Sequence, residues 1–309
     1  MSIAANDRPL VLDGGLSNVL EEAGCEFDPL LWTAGLLRTD PEALVNAHLA
    51  YLYAGADIVT TASYQASVPG FVNAGLSAEE GEGLLRRSVE LAVEARARFQ
   101  AENPASDRKP LIAASAGPYG AYLADGSEYT GVYPASNAEL RAYHEPKIQC
   151  LSETGADALA IETIPSLRET AILAELLAAF ATPTWVSFCC RDATHLHDGA
   201  PVAEAIALVR DLPCVFALGA NCTAPAHIAG LIRLVKTEAP RQRVVVYPNS
   251  GEVYQADSGT WRGTSNPEDF RRLVTEWMAL GADIVGGCCR IGPAHIGVIR
   301  SVVDGPSDA

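Results

Sequence analysis

Gly281-Ala282-Asp283-Ile284-Val285-Gly286-Gly287-Cys288-Cys289-Arg290 is the stretch from which the fold can be read. A glycine able to close a helix in the left-handed conformation comes first, and an apolar run suited to one buried strand follows. Two adjacent thiols stand where that strand runs out. The tripeptide Gly-Ala-Asp recurs at 55–57 and 155–157, each time ahead of another apolar run. A helix-to-strand unit is therefore repeated along the chain.

Working outward, eight short runs rich in Val, Ile, Leu or Ala occupy residues 10–14, 57–63, 111–116, 157–162, 184–189, 214–220, 243–248 and 282–286. Continuous apolar runs, as opposed to alternating ones, belong to strands covered on both faces. Helical signals lie between them. Asp40-Pro41-Glu42 and Asn266-Pro267-Glu268 each offer a capping side chain before a proline at the first helical position. Ser77 with Glu80, Ser136 with Glu139 and Ser166 with Glu169 have capping-box spacing. Leu173, Leu176, Leu177 and Phe180 share one helical face. Eight βα units predict a (β/α)8 TIM barrel, because an open doubly wound sheet uses five or six strands and no GxGxxG follows the first run. No linker or composition shift divides the chain, so residues 1–309 are expected to form one barrel domain with flexible ends at about 1–8 and 303–309. Residues 119–135, rich in Tyr and Gly, read as a long mobile loop.

Composition narrows the function. The chain has 309 residues, 49% of them hydrophobic and 19% charged, which suits a globular protein with a large core. It carries no run of about 18 apolar residues and no basic-then-apolar leader, so a cytoplasmic protein with no membrane partner is expected. A net charge of −16 with scattered Lys and Arg argues against nucleic acid. Eight cysteines in such a chain read as reduced thiols, some holding metal.

In a barrel of this kind chemistry gathers at the C-terminal ends of the strands. Those ends hold Asp13-Gly14-Gly15, Thr61, Glu162-Thr163, Asn221-Cys222 and Cys288-Cys289. Three thiols with one open position suit catalytic zinc. Residues adjacent on a regular strand face opposite ways, so Gly286-Gly287 is expected to release the backbone and let both sulfurs turn to one centre. The competing reading makes the pair small buried hydrophobes. A second pair, Cys189-Cys190-Arg191, lacks the glycines and reads as structural; His195 and His197 nearby read as solvated. Asp13 is either a turn former or, with the glycine amides beside it, an acceptor for an ammonium group. Glu162, if buried, needs a partner, which a cationic substrate amine would supply. Tyr247, Asn249 and Glu252 after the seventh run have either a substrate or a packing role.

Together these motifs resemble the homocysteine S-methyltransferase family, the pterin-independent zinc enzymes that include betaine-dependent members. The resemblance rests on Asp13-Gly14-Gly15, Thr61-Ala62-Ser63-Tyr64-Gln65, Glu162-Thr163, Asn221-Cys222, Tyr247-Pro248-Asn249-Ser250-Gly251-Glu252 and Gly286-Gly287-Cys288-Cys289-Arg290. It implies one Zn2+ per chain on Cys222, Cys288 and Cys289. It also implies homocysteine held at Asp13, Gly14, Gly15, Thr61, Glu162 and Asn221, a methyl donor near Trp32, and no catalytic residue beyond the zinc ligands. Ala62, Gln65 and Thr163 stand where betaine-using relatives are richer in aromatics, so the resemblance points to S-methylmethionine, with S-adenosylmethionine as a second donor. Without the C-terminal extension of the betaine enzymes, a monomer or small homo-oligomer is expected. The alternatives are a non-catalytic zinc- or thiol-binding protein, or an enzyme of this fold using betaine, a selenol or another thiol.

Overall fold

The computed structural model describes residues 3, 8–251, 253–255, 260–262 and 266–305. Its strands in chain order are β1 (Leu10–Val11), β2 (Ile58–Thr60), β3 (Leu111–Ala116), β4 (Ala158–Ile164), β5 (Thr184–Phe188), β6 (Val215–Asn221), β7 (Arg243–Tyr247), β8 (Val253–Gln255), β9 (Thr260–Arg262) and β10 (Ile284–Val285). Eight of them form one parallel sheet in the order β1-β10-β7-β6-β5-β4-β3-β2. A parallel bridge from Leu12 to Ile58 and the bond from the Asp13 amide to the Ile58 carbonyl, 3.0 Å, join the two ends of that order. This is the (β/α)8 barrel expected from the repeat. β8 and β9 form a separate antiparallel hairpin, which the apolar runs do not announce.

The Gly-Ala-Asp repeat has a second physical meaning beyond helix closure. Gly55 and Gly281 do end their helices with φ of 113° and 99°, whereas Gly155 has no positive φ and the helix before it stops at Ser152. The aspartates do the same thing three times. Asp57, Asp157 and Asp283 each accept a bond from the first amides of a neighbouring strand, at Val11 (3.0 Å), Ile112 (2.9 Å) and Val244 (2.8 Å). Each also pairs with a cation: Arg300 for Asp57, Arg96 for Asp157 and Lys236 for Asp283. The repeat thus satisfies strand-start donors at the base of the barrel.

Alternation along the strands divides the core in two. Val11, Val59, Ile112, Leu159, Val186, Leu218, Val244 and Val285 face the helices, while Leu10, Leu12, Ile58, Ala113, Ala158, Ala160, Trp185, Ala217, Val245 and Ile284 fill the barrel with Ile3. One large indole among four alanines fills the interior volume that alanines alone would leave open. Continuing the same inward rows upward places Ser115, Glu162, Ser187, Asn221 and Tyr247 at the mouth, so the interior changes from apolar to polar within one or two residues per strand.

Three local expectations are corrected. Ser77 and Ser136 are capping boxes, but at the third the Ser166 hydroxyl accepts from the Glu169 amide without the reciprocal bond. Glu169 turns inward instead, taking bonds from the Tyr119 amide (2.7 Å), His144 Nε2 (2.7 Å) and the Tyr133 hydroxyl. Those bonds also pin residues 119–135, which hold a helix at Tyr119–Leu123 and a 3-10 turn at Ser127–Tyr129 in place of an open loop. At the C-terminal end the last helix continues to Asp304; most of the residues expected to be flexible lie outside those described.

Candidate active site

Cys222 follows β6 directly, and its φ of 46° takes the chain out of the strand in one step. The Cys288-Cys289 turn follows β10 and is tied on both sides. The Gly287 amide donates to the Asp13 carbonyl (3.0 Å), the Cys288 amide to Pro248 (2.8 Å), and the Cys289 carbonyl accepts from Ser250 (3.1 Å). Gly286 and Gly287 are glycine for space and not for φ, since neither has a positive φ. A Cβ on Gly286 would lie 2.7 Å from the Asp13 carbonyl oxygen, and one on Gly287 2.0 Å from Ile291 Cγ2. Close packing of this turn on the end of β1 is what aims both sulfurs the same way.

The three sulfurs lie within 4.8 Å of one another. Cys289 Sγ is 3.7 Å from Cys222 Sγ and 4.0 Å from Cys288 Sγ, while Cys222 and Cys288 are joined as a disulfide with a Cα separation of 5.6 Å. Reduced thiols were expected throughout; sulfurs aimed at one centre are also within reach of one another. Ligands around one tetrahedral zinc at bonds of about 2.3 Å sit about 3.8 Å apart. Two edges of the sulfur triangle have that length, and reduction of the third frees both remaining thiols. The donor set therefore fits zinc.

The buried acids lie on the same mouth. Asp13 accepts from the Thr60 amide at 2.7 Å and from the Thr60 hydroxyl at 3.2 Å. Burial pushes its carboxyl well above the usual range, opposed by the Thr60 amide and reinforced by the charge of Glu162. Glu162 accepts from the Ser115 hydroxyl and, at 2.9 Å, from Tyr247. Burial raises this carboxyl too, with those two bonds and the Lys147 charge working against it. The protein itself thus supplies partners for Glu162, so a substrate amine is not needed to make its burial tolerable. Gly15 likewise spends its amide on the Ile291 carbonyl (3.0 Å), and a Cβ on Gly14 would lie 2.1 Å from that same oxygen.

Thr61 is buried and works within the framework: its hydroxyl meets Ser63 at 2.6 Å and accepts from the Ser115 amide at 3.0 Å. Asn221 accepts from the Thr163 amide and donates to the Thr163 hydroxyl, both at 2.7 Å. That double bond holds Thr163 at φ 61°, where the β4–β5 register shifts. Ser187 links Asn221 (2.8 Å) to Tyr247 (2.6 Å), and Trp185 Nε1 donates to Tyr247 at 2.9 Å. Trp32 stands farther out, with φ 50°, its ring edge-on to Phe27 at 6.0 Å and to Tyr64 at 6.4 Å. Of the non-glycine residues with positive φ among those described, Thr163, Cys222 and Arg290 lie at or just beyond strand ends, as strained backbone does at functional sites, while Trp32 stands farther out and Ala124 closes the helix Tyr119–Leu123.

Sequence reasoning passed over Ser115, Ser187, Trp185 and Lys147. The first three follow from carrying the two-residue period to the top of each strand. Lys147 gives no such signal. It is fully buried on a helix, donates to the Tyr64 carbonyl at 2.8 Å, and has its pKa lowered to about 7 by burial against the pull of Glu162. Asn249 donates to the Cys222 carbonyl at 3.3 Å, while Glu252 lies outside the described residues. Of the second thiol pair, Cys189 Sγ donates to the Cys222 carbonyl (3.5 Å), and the buried Cys190 donates its amide to the Thr223 hydroxyl at 2.9 Å.

Comparison with known proteins agrees with this geometry. A family model described as homocysteine S-methyltransferase matches residues 10–303. The homocysteine S-methyltransferase YbgG of Bacillus subtilis is 43% identical over 290 residues, covering 93% of this chain and 92% of its own. A selenocysteine Se-methyltransferase of Brassica oleracea is 42% identical over 304 residues, covering 94% and 87%. The crystal structure of the homocysteine methyltransferase MmuM from Escherichia coli matches in its metallated form with a TM-score of 0.85 at 40% identity, covering 96% of each chain. Its oxidized form matches with a TM-score of 0.87 and covers 97% of each. With the barrel, the three convergent thiols and this likeness along nearly its whole length, the chain belongs to the homocysteine S-methyltransferase family.

Proposed function

We propose that this enzyme moves a methyl group from S-methylmethionine, with S-adenosylmethionine as a second donor, to the thiol of homocysteine, using one zinc ion held by Cys222, Cys288 and Cys289. The observation that carries the reading is the sulfur triangle, whose 3.7 and 4.0 Å edges suit one tetrahedral ion beside two buried carboxylates. When bound, zinc would remove the substrate thiol's proton and keep the sulfur a thiolate at neutral pH.

The chain's own groups do the rest. Asp13 and Glu162 present negative charge to the homocysteine ammonium group, and their mutual repulsion is relieved when a cation sits between them. The hydroxyls of Ser115 and Tyr247 keep Glu162 oriented, and Asn221 keeps Thr163 beside it. Trp32, with the edge-on ring of Tyr64, offers π faces to a sulfonium. The homocysteine sulfur forms the new S–CH3 bond as the donor's S–CH3 bond breaks, its electron pair staying on the donor sulfur. No general base is needed at that step, so no side chain beyond the thiol ligands is assigned a catalytic role.

Among the described residues no helix is long and apolar enough to cross a membrane. The net charge of −16 disfavours nucleic acid. We read the protein as a cytoplasmic monomer or small homo-oligomer acting on small molecules. Assaying S-methylmethionine, S-adenosylmethionine and betaine with homocysteine tests the reading: S-methylmethionine should give the largest kcat/KM, and turnover with betaine alone would overturn the donor assignment. The likeness to a selenocysteine methyltransferase favours a second acceptor of the same chemistry, a selenol, testable in the same assay.

A further inference from the structure

We propose that Glu128 is the counter-charge for the ammonium group of an amino-acid sulfonium donor, and so selects the donor; this rests on the methyl-transfer reading above. Glu128 belongs to the 3-10 turn Ser127–Tyr129, and the Tyr129 hydroxyl lies 3.8 Å from Cys289 Sγ. Residue 128 is therefore at the rim of the thiol site. The turn is held firmly there. A Cβ on Gly120 would come within 2.4 Å of the Glu128 amide nitrogen, so these segments touch backbone to backbone. Thr130 and Gly131 both bond back to the Ser127 carbonyl, at 3.0 and 2.9 Å, and Tyr119 and Tyr133 anchor the flanks on Glu169.

The carboxylate is out of keeping with that order. Its Oε2 is buried and, among the described residues, has no hydrogen-bond partner. A carboxylate oxygen without a donor is costly to bury, and such a group in a well-packed turn signals a partner that arrives from outside. Burial, rather than any opposite charge, dominates its surroundings and raises its pKa. It lies near the mouth: the adjacent Tyr129 reaches Cys289 Sγ at 3.8 Å, and after burial and Tyr129 the charge of Glu128 contributes to raising the Tyr64 hydroxyl. Tyr64 is the same residue whose ring stands edge-on to Trp32, so the aromatic pair is within electrostatic reach of the carboxylate.

The ammonium, not the sulfonium, is the cation it suits. A sulfonium loses its charge as the methyl leaves, so a fixed carboxylate beside it would favour the ground state over the transition state. An ammonium keeps its charge throughout, and a carboxylate there improves donor binding equally before and during transfer. The aromatic faces are then left to the sulfonium, and Asp13 and Glu162 to the acceptor.

The test uses zinc-loaded enzyme and Glu128→Gln, which keeps shape and removes charge, with S-methylmethionine and its desamino analogue as donors. The variant should raise the KM for S-methylmethionine about tenfold, the size expected for one charge-assisted bond. The KM for the desamino analogue, the KM for homocysteine, kcat and zinc content should change less than twofold. An equal rise for both donors, or a rise for homocysteine, overturns the inference. Calorimetry of donor binding keeps the two readings apart: an unchanged Kd for S-methylmethionine in the variant overturns the Glu128 role, whereas a weakened Kd without any methyl transfer in the wild type counts against the reaction alone.

Discussion

Two pairs of adjacent cysteines, each at the end of a barrel strand and each followed by arginine, have opposite fates. Cys288 and Cys289 direct their sulfurs, 4.0 Å apart, toward Cys222. Cys189 and Cys190 are folded into the wall, buried to within 3% and capped by an antiparallel bridge from Cys190 to Leu196. Burial, with the Asp192 charge adding to it and a bond to Thr223 opposing it, pushes the Cys190 thiol up to about 12, and neither sulfur of this pair belongs to the three-thiol cluster. The difference lies in what precedes each pair. Gly286-Gly287 lets the turn settle against Asp13 and Ile291 where any side chain would collide, whereas β5 runs to Phe188 and leads straight into the second pair.

The sharpest way to break the comparison is to exchange one thiol of each pair. Serine at Cys222, Cys288 or Cys289 should lower methyl transfer by at least about a thousandfold, since it removes a metal ligand worth several kcal/mol to the reaction. Cys190→Ser should leave transfer within twofold; equal losses at the two pairs would erase the distinction. Next in size, Gly287→Ala brings a Cβ to 2.0 Å from Ile291 Cγ2. Overpacking of this kind costs about 1–3 kcal/mol, and the thiols should be displaced with it, so thermal melting should fall together with zinc content. A drop in melting temperature with full zinc content would show that the glycines serve packing alone.

The smallest effect concerns charge behind the wall. Lys147 has a folded pKa near 7, below its unfolded value, so between pH 7 and about 10 the unfolded chain holds a proton that the folded chain does not. Wild-type stability should therefore rise relative to Lys147→Met as pH increases through that window, by at most about 1.4 kcal/mol per unit, and show no such trend below pH 7. Denaturant titrations of both proteins at several pH values measure it. A flat difference would mean that Lys147 stays charged in the fold.

Most of the barrel is legible in the chain because its strands are apolar on both faces and its helices carry explicit caps. The expected thiol triad is brought together because strand ends in this fold converge by geometry. What escapes depends on tertiary neighbours. Glu169 has capping-box spacing yet leaves the cap for Tyr119, Tyr133 and His144, partners far away in sequence. Lys147 sits on a helix with no apolar cue that its amine will reach Tyr64. Ser115, Ser187 and Tyr247 are ordinary strand residues until alternation and register put them around Glu162. The glycines before Cys288 were correctly singled out but for another reason, since only packing shows that they give space and not left-handed backbone.

Zinc content of the reduced protein and of its three single serine variants tests the central claim most directly. One zinc per chain is predicted for the wild type and for Cys190→Ser, with loss of stoichiometric zinc from Cys222→Ser, Cys288→Ser and Cys289→Ser. Full zinc retained by any of those three, together with undiminished methyl transfer, would contradict the account.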